Sequence, residues 1–286
     1  MRSLALVLAA LAVAPVAKVN VGNWNYGLAA AGGSVWSGAL QGGDVVRIDP
    51  STGTVTKRIP VGFRIFNLAS APGAVWAVDN TLGTVTRIDA STGKITARVK
   101  VGTAPYDVEW GFGSAWVSNT LDGTVSRITG TKVVKSIRVG LEPNGLSAIG
   151  PYLWVTLHTG NKLVRVDPRT NRVTGSVQLT GADWVTGYKG SLYVSQESNV
   201  VTRIDAKTLK VTGRVAVARN PLGSSIAGGK LWVPCIDANV IDVVDPSTMK
   251  VVRTIAAAGG PIVALAVGNR VWVSHATGNT VTSYRS

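Results

Sequence analysis

Seven copies of a unit about 40 residues long, strand-like alternation in place of helical periodicity, and turn residues at fixed offsets predict an all-β, seven-bladed β-propeller of four-stranded blades. One aromatic marks each copy: Trp36, Trp76, Trp116, Trp154, Tyr193, Trp232 and Trp272, spaced 40, 40, 38, 39, 39 and 40 residues apart. After each aromatic comes a second landmark, VVRID at 45–49, VTRID at 85–89, VSRIT at 125–129, LVRVD at 163–167, VTRID at 201–205 and IDVVD at 241–245. A terminal Val-Gly closes several copies, as at Val61-Gly62, Val101-Gly102 and Val139-Gly140.

Alternation orders the strands within a copy. The run 74–78, AVWAV, is apolar on both faces, as a strand between neighbouring blades must be. The run 85–88 alternates, and 95–100, ITARVK, alternates more strictly, so burial falls outward from the axis. Ahead of the tryptophan strand, 66–69 and its equivalents form the innermost strand, lining the central channel. Asp49-Pro-Ser-Thr-Gly53 and Asp89-Ala-Ser-Thr-Gly93 read as hairpin turns, the carboxyl accepting backbone N–H groups and the glycine taking a left-handed conformation. Asp167, Asp205 and Asp245 hold the same place and are turn formers rather than catalytic acids. The third copy has the shorter Thr129-Gly130-Thr131 there, which accounts for its 38-residue spacing.

The two ends complete one another. Residues 18–22, KVNVG, match the outer strand 98–102, RVKVG, and the last copy stops at 280–285 without an outer strand of its own. Residues 17–22 are therefore expected to pair with 279–285 and close the ring, leaving no sheet edge between first and last blades. Ahead of this, Arg2 and the apolar run 4–14 read as a signal peptide over residues 1–17, too short to span a bilayer and suited to export. Residues 18–286 then form one monomeric domain, secreted, periplasmic or held at the cell surface if the leader stays uncleaved, with no transmembrane domain.

Composition narrows the classes. Apolar residues make up 45% of the chain and charged residues 15%, which excludes a disordered chain. Lys and Arg total 29 against 15 Asp and Glu, a balance that favours anionic partners. Many of these cations, among them Lys57, Arg58, Arg98, Lys100 and Arg138, fall on outer strands, where they guard sheet edges. A rim spread in this way and poor in aromatics is a weak nucleic-acid surface. The single cysteine, Cys235, excludes an internal disulfide.

The sequence at 115–119, AWVSN, with 123–128, GTVSRI, 137–140, IRVG, and 143–146, PNGL, resembles the YVTN-repeat β-propellers, Trp standing for the leading Tyr. The likeness covers residues 18–286. Some seven-bladed relatives, the streptogramin B lyases, carry W-F-T-E at the end of the second strand, where this chain has Trp-Ala-Val-Asp79, Trp-Val-Ser-Asn119 and Trp-Val-Ser-His275. That resemblance implies histidines and acids around a magnesium ion on one face. This chain supplies two histidines, His158 and His275, three blades apart.

Positions shared by all copies serve the fold, and those that differ are free for function. One variable set begins the inner strand: Tyr26, Phe66, Tyr106, Asn144, Asp183, Leu222 and Ile262, followed by Asn67, Asp107 and Trp184. The other ends the second strand: Ala39, Asp79, Asn119, Leu157, Gln196, Cys235 and His275, with His158 and Glu197 one residue later. Both sets are expected at one mouth of the channel. There Trp24, Tyr26, Phe66, Asn67, Asp79, Tyr106, Asp107, Asn119, Asp183 and Trp184 would line a pocket for a small organic or cationic ligand or a protein partner. The alternatives are a lyase or hydrolase using His275, His158 and Glu197, and a nucleic-acid or other polyanion binder using the rim. Asp79, Asp107, Asp237 and His275 are the candidate ligands for Mg²⁺ or Ca²⁺, although no cofactor is required by the pattern.

Overall fold

A computed structural model describes residues 13–22 and 24–286. Seven four-stranded sheets follow one another around a central channel, and a 3-10 turn at Ile236–Ala238 is the one helical element among the described residues. Blade 2 shows the plan: inner strand Ile65–Ala71, second strand Ala74–Asp79, third strand Thr84–Asp89 and outer strand Ile95–Lys100, each antiparallel to the one before. The second strand is buried along its whole length, whereas the outer strand buries Val99 alone. The expected outward fall in burial is therefore present.

Blade 7 is assembled from both ends of the chain. Ala17–Asn20 pairs with Thr280–Arg285 in the register Ala17↔Ser283, Lys18↔Thr282, Val19↔Val281 and Asn20↔Thr280. Val19 and Val21 enter a core cluster with Trp272 and Val281 of blade 7 and Val35, Val46 and Ile48 of blade 1. The ring closes as the matched ends require. Of the expected leader, residues 1–12 lie outside the described residues.

Between blades the tryptophans form the core. Trp76 packs against Val108, Ala115, Val117 and Ile128 of blade 3, and Trp116 against Leu146, Leu153 and Val155 of blade 4. The recurrent arginine of the third strand lies over the same ring: the guanidinium carbon is 5.4 Å from the Trp36 centroid for Arg47 and 4.7 Å from that of Trp116 for Arg127. Its far end then donates to a turn carbonyl of the next blade, Arg47 to Ser91 at 3.0 Å and Arg127 to Pro168 at 2.6 Å; across the closure Arg270, from the second strand of blade 7, makes the equivalent bond to Pro50 at 3.0 Å. Outer-strand cations do similar work, Lys57 donating to Thr92 O and Arg58 to Val21 O, each at 2.7 Å. Much of the basic excess is thus committed to holding blades together.

The turn aspartates behave as read. Asp89 Oδ1 accepts the backbone N–H groups of Ser91 and Thr92 at 3.0 and 2.8 Å, and also both hydroxyls. Those bonds, led by the Ser91 hydroxyl, hold its carboxyl far below the usual range. The terminal glycines have a different cause. A Cβ on Gly62 would run into the Asp79 carboxyl, and one on Gly102 into Asn119 and Asp122. The repeating Val-Gly keeps room for the side chain that ends the second strand.

Candidate functional site

Inner strands begin at one face of the disc and end at the other, and the two ends differ in burial. Their first residues are closely packed: Asn25, Ile65, Pro105, Pro143, Ala182 and Pro261 are all buried, as is Pro221, bridged to Cys235 ahead of the short inner strand Ser225–Ala227 of blade 6. At their last residues the strands are half-exposed, as in Trp110-Gly111, Ala148-Ile149 and Ala266-Val267. The channel is constricted at the first face and widens toward the second.

Three rings make the constriction. Tyr26, Phe66 and Tyr106, from successive blades, pack with centroids 5.3, 5.2 and 6.0 Å apart, and the two tyrosine hydroxyls hydrogen-bond each other. Burial pushes both phenols well above their ordinary range, with the nearby Asp183 adding to it. The mouth expected to receive a ligand is instead narrowed by its own aromatics, because neighbouring inner strands stand close enough for the rings to meet.

Below the rings lies a cavity of about 520 Å³. Its wall includes Asn67, Asp107, Glu109, Trp110 and Trp184, with Leu28, Leu146, Val263 and Leu265 as apolar surface. Asp107 is 3% exposed; Oδ1 accepts Val108 N at 2.8 Å and Oδ2 accepts Leu146 N of the next blade at 2.7 Å. Glu109 Oε1 accepts Ala148 N at 3.0 Å, and Oε2 has no protein donor. Burial raises the Asp107 carboxyl well above its ordinary range, the backbone bonds only partly offsetting it, and pushes Glu109 from 4.5 up to about 7. Asn67 is 2% exposed, and its Nδ2 has no hydrogen-bond partner.

The Glu109 value sets a direction for stability. Below pH 4.5 both folded and unfolded chains hold this proton, so the residue carries no penalty. As pH rises from 4.5 to about 7 the unfolded chain ionises first, and stability falls by on the order of 2 kcal/mol before levelling off. Glu109→Gln keeps an acceptor for Ala148 N. It is expected to melt above the native chain at pH 8 and together with it at pH 4. A difference independent of pH would remove Glu109 as its source.

The second predicted set does not reach this cavity, and its assignment to the ligand pocket is corrected. Asp79 is fully buried: Oδ2 accepts Phe63 N at 2.7 Å, and Oδ1 accepts Thr81 N and Leu82 N at 2.9 and 3.0 Å. Asn119 Oδ1 accepts Gly102 N at 3.0 Å, and its Nδ2 donates to Thr124 and Ser126 hydroxyls. Gln196 Nε2 donates to Thr180 O at 2.8 Å. The interblade loop folds back over the end of each second strand, and these side chains tie it down. His275 is 1% exposed with Nε2 2.8 Å from Thr282 Oγ1, and burial brings its pKa down to about 4, Lys18 adding to the effect. Trp24 is 43% exposed on the first face beside Leu40, Phe63 and Arg64, outside the channel.

His158 and Glu197 do come together, with Nε2 to Oε1 at 2.8 Å, and Glu142, absent from the expected set, lies 3.5 Å from Nδ1. Burial opposes protonation of His158, but the Glu197 hydrogen bond and charge, supported by Asp183 and Glu142, raise its pKa overall. Asp183 accepts from Asn144 Nδ2 at 3.0 Å, and burial raises its carboxyl. The metal candidates do not converge. Asp79 holds a loop, Asp107 faces the channel, Asp237 accepts from Asn220 Nδ2 at 3.3 Å and His275 meets Thr282. Among the described residues no group of three His, Cys, Asp or Glu could hold a metal ion. The donor set implied by the lyase resemblance therefore does not fit.

Sequence reasoning missed Glu109 and Trp110, which complete the acidic and aromatic side of the channel. A signal was available. Opposite the blade tryptophan the other copies place Ala29, Ala69, Ser147, Thr186, Ser225 and Leu265, so Glu109 is the lone ionisable residue at that level.

Neither a protein-family model nor any curated protein matches this chain. Among solved structures it is similar to a chain of the Kuenenia stuttgartiensis hydrazine synthase, with a TM-score of 0.81 at 16% identity, covering 92% of this chain and 95% of that one. At that identity the likeness establishes the seven-bladed propeller fold. Within the described residues no helix is long and apolar enough to cross a membrane.

Proposed function

We propose that this is an exported binding propeller of the YVTN-repeat kind, which takes a small organic ligand into its central channel from the second face. The observation that carries the reading is the cavity itself: about 520 Å³, with the Tyr26, Phe66 and Tyr106 cluster one residue before its lining strands' Asn67 and Asp107, and with both polar and apolar groups in its wall. Its size and mixed lining are those of small-molecule sites. Ser147 lines the cavity, and Ser147→Trp would fill part of it. Compounds that raise the melting temperature of the native chain are expected to lose that effect in Ser147→Trp. Compounds that keep it bind elsewhere, and a screen yielding only such compounds would overturn the reading.

A protein partner is the second reading, and one observation favours it at the first face. Phe63, Leu121 and Leu141 are 63%, 71% and 66% exposed there, on loops of blades 1 to 4. Phe63→Ser with Leu121→Ser is expected to leave the melting temperature within about 1 °C, as surface changes do, while removing any partner that docks on this face. The lyase reading ranks behind both: His158 meets Glu197 and Glu142, but His275 lies apart against Thr282, and among the described residues no group of three His, Cys, Asp or Glu could hold a metal ion. The polyanion reading ranks there too, because rim cations such as Arg58 and Lys57 are bonded to backbone carbonyls.

A further inference from the structure

The channel acids stand out against the charge of the whole chain. Lys and Arg outnumber Asp and Glu by 29 to 15, yet no lysine or arginine lines the cavity. The ion pairs among the described residues, His158 with Glu142 and Glu197, Arg169 with Asp167, and Lys230 with Asp245, all lie elsewhere. Asp107 and Glu109 sit side by side on the inner strand Pro105–Gly111 with no cation facing them. The neighbouring inner strands Ile65–Ala71 and Pro143–Ile149 carry no ionisable side chain, nor does the second strand Ser114–Asn119. Asp107 is buried and Glu109 half-buried, and carboxyls withdrawn from water in this way are ordinarily paired. In a protein so rich in cations, this wall is open to one supplied from outside.

A second observation points the same way and adds detail. Asn67 Nδ2 is a buried donor without an acceptor, in the same cavity as Asp107. Buried amide donors are seldom left unmade. An acceptor oxygen on the occupant would complete it. Across the channel, Leu28, Val263 and Leu265 offer apolar surface, and Trp110 and Trp184 offer ring surface.

Resting on the channel reading above, we propose that the occupant is an organic cation: a protonated amine with a hydroxyl or carbonyl oxygen close to the nitrogen and an apolar tail. The ammonium meets Asp107 and Glu109, the oxygen accepts from Asn67, and the tail lies against the leucines and Val263. Binding draws both carboxyls toward their ionised forms, so affinity rises with pH through the neutral range, where Glu109 releases its proton.

Calorimetric titration of the full chain at pH 8 tests this with four probes of similar size: phenylalaninol, phenethylamine, 3-phenylpropanol and 3-phenylpropionate. The amines are expected to bind about tenfold or more tightly than the neutral and anionic probes. Glu109→Gln should abolish that preference while leaving binding of 3-phenylpropanol unchanged. Asn67→Leu should weaken phenylalaninol more than phenethylamine. Should Asp107→Asn fail to fold, Glu109→Gln alone decides the charge requirement. Equal binding of all four probes, or amine binding indifferent to Glu109→Gln, overturns the cation while leaving the channel site standing. Binding by none of them overturns both.

Discussion

Deleting residues 16–22 is expected to lower the melting temperature by about 10–20 °C. Val19 and Val21 are 4% and 0% exposed, each worth roughly 1.5–3 kcal/mol of apolar burial, and they fill space between the last and first blades. With them go the ladder to Thr280–Arg285, the bonds from Val16 N to Ser283 O and Val21 N to Asn279 O, and the Arg58 bond to Val21 O. About 5 kcal/mol in total, at roughly 2–4 °C per kcal/mol for a domain of this class, gives the stated fall. Val21→Asn keeps the backbone and removes only the apolar contact, so it should lie between the deletion and the native chain. The deletion also bares a long edge strand, and the truncated protein should associate on standing. An unchanged calorimetric transition in the deletion variant would mean that the ring does not depend on this strand.

The second large effect is at Asp79, a residue the sequence marks as a ligand contact and the structure marks as a clasp. Asp79→Ala leaves three loop N–H groups, those of Phe63, Thr81 and Leu82, without their acceptor, and should cost about 3–5 kcal/mol. Gly62→Ala pushes a methyl group into the same carboxyl and should cost about 1–3 kcal/mol. The two changes relieve one another, because Asp79→Ala vacates the space the new methyl needs. In denaturant unfolding the double variant should therefore cost less than the sum of the singles by about 1 kcal/mol or more. Strict additivity would mean that the two residues do not share that space. Neither change touches the channel, so ligand-induced shifts in melting temperature should persist in both.

The architecture was legible because a propeller repeats its needs. Every blade has a large ring between sheets, and most repeat an arginine on the third strand and an aspartate at the hairpin at fixed spacing. Ring closure was legible for the same reason, since residues 18–22 match a strand the last copy lacks. The site was read only in part. Variation between copies located Asn67, Asp107 and Trp184, which do line the channel, but it also selected Asp79 and Asn119. Their side chains differ because each loop presents its N–H groups a little differently, as at Phe63 and Gly102, and that geometry is set by backbone folding back from the preceding blade. Periodicity carries no information about such a return. Nor could it say that Tyr26, Phe66 and Tyr106 of neighbouring blades meet one another, which depends on how closely the ring draws its inner strands together.

The three packed rings give the disc a direction. On the proposed reading, a channel narrowed at one end by these rings would work as a cul-de-sac: an occupant that enters from the second face would leave by the same aperture. An elongated cation bound as proposed would be held head-first, its head against Asp107 and its tail toward the second face, with only the tail free to vary in length. Selectivity would then be strict at the narrow end and permissive at the open one, and exchange would be set at a single rim, the half-exposed ends of the inner strands.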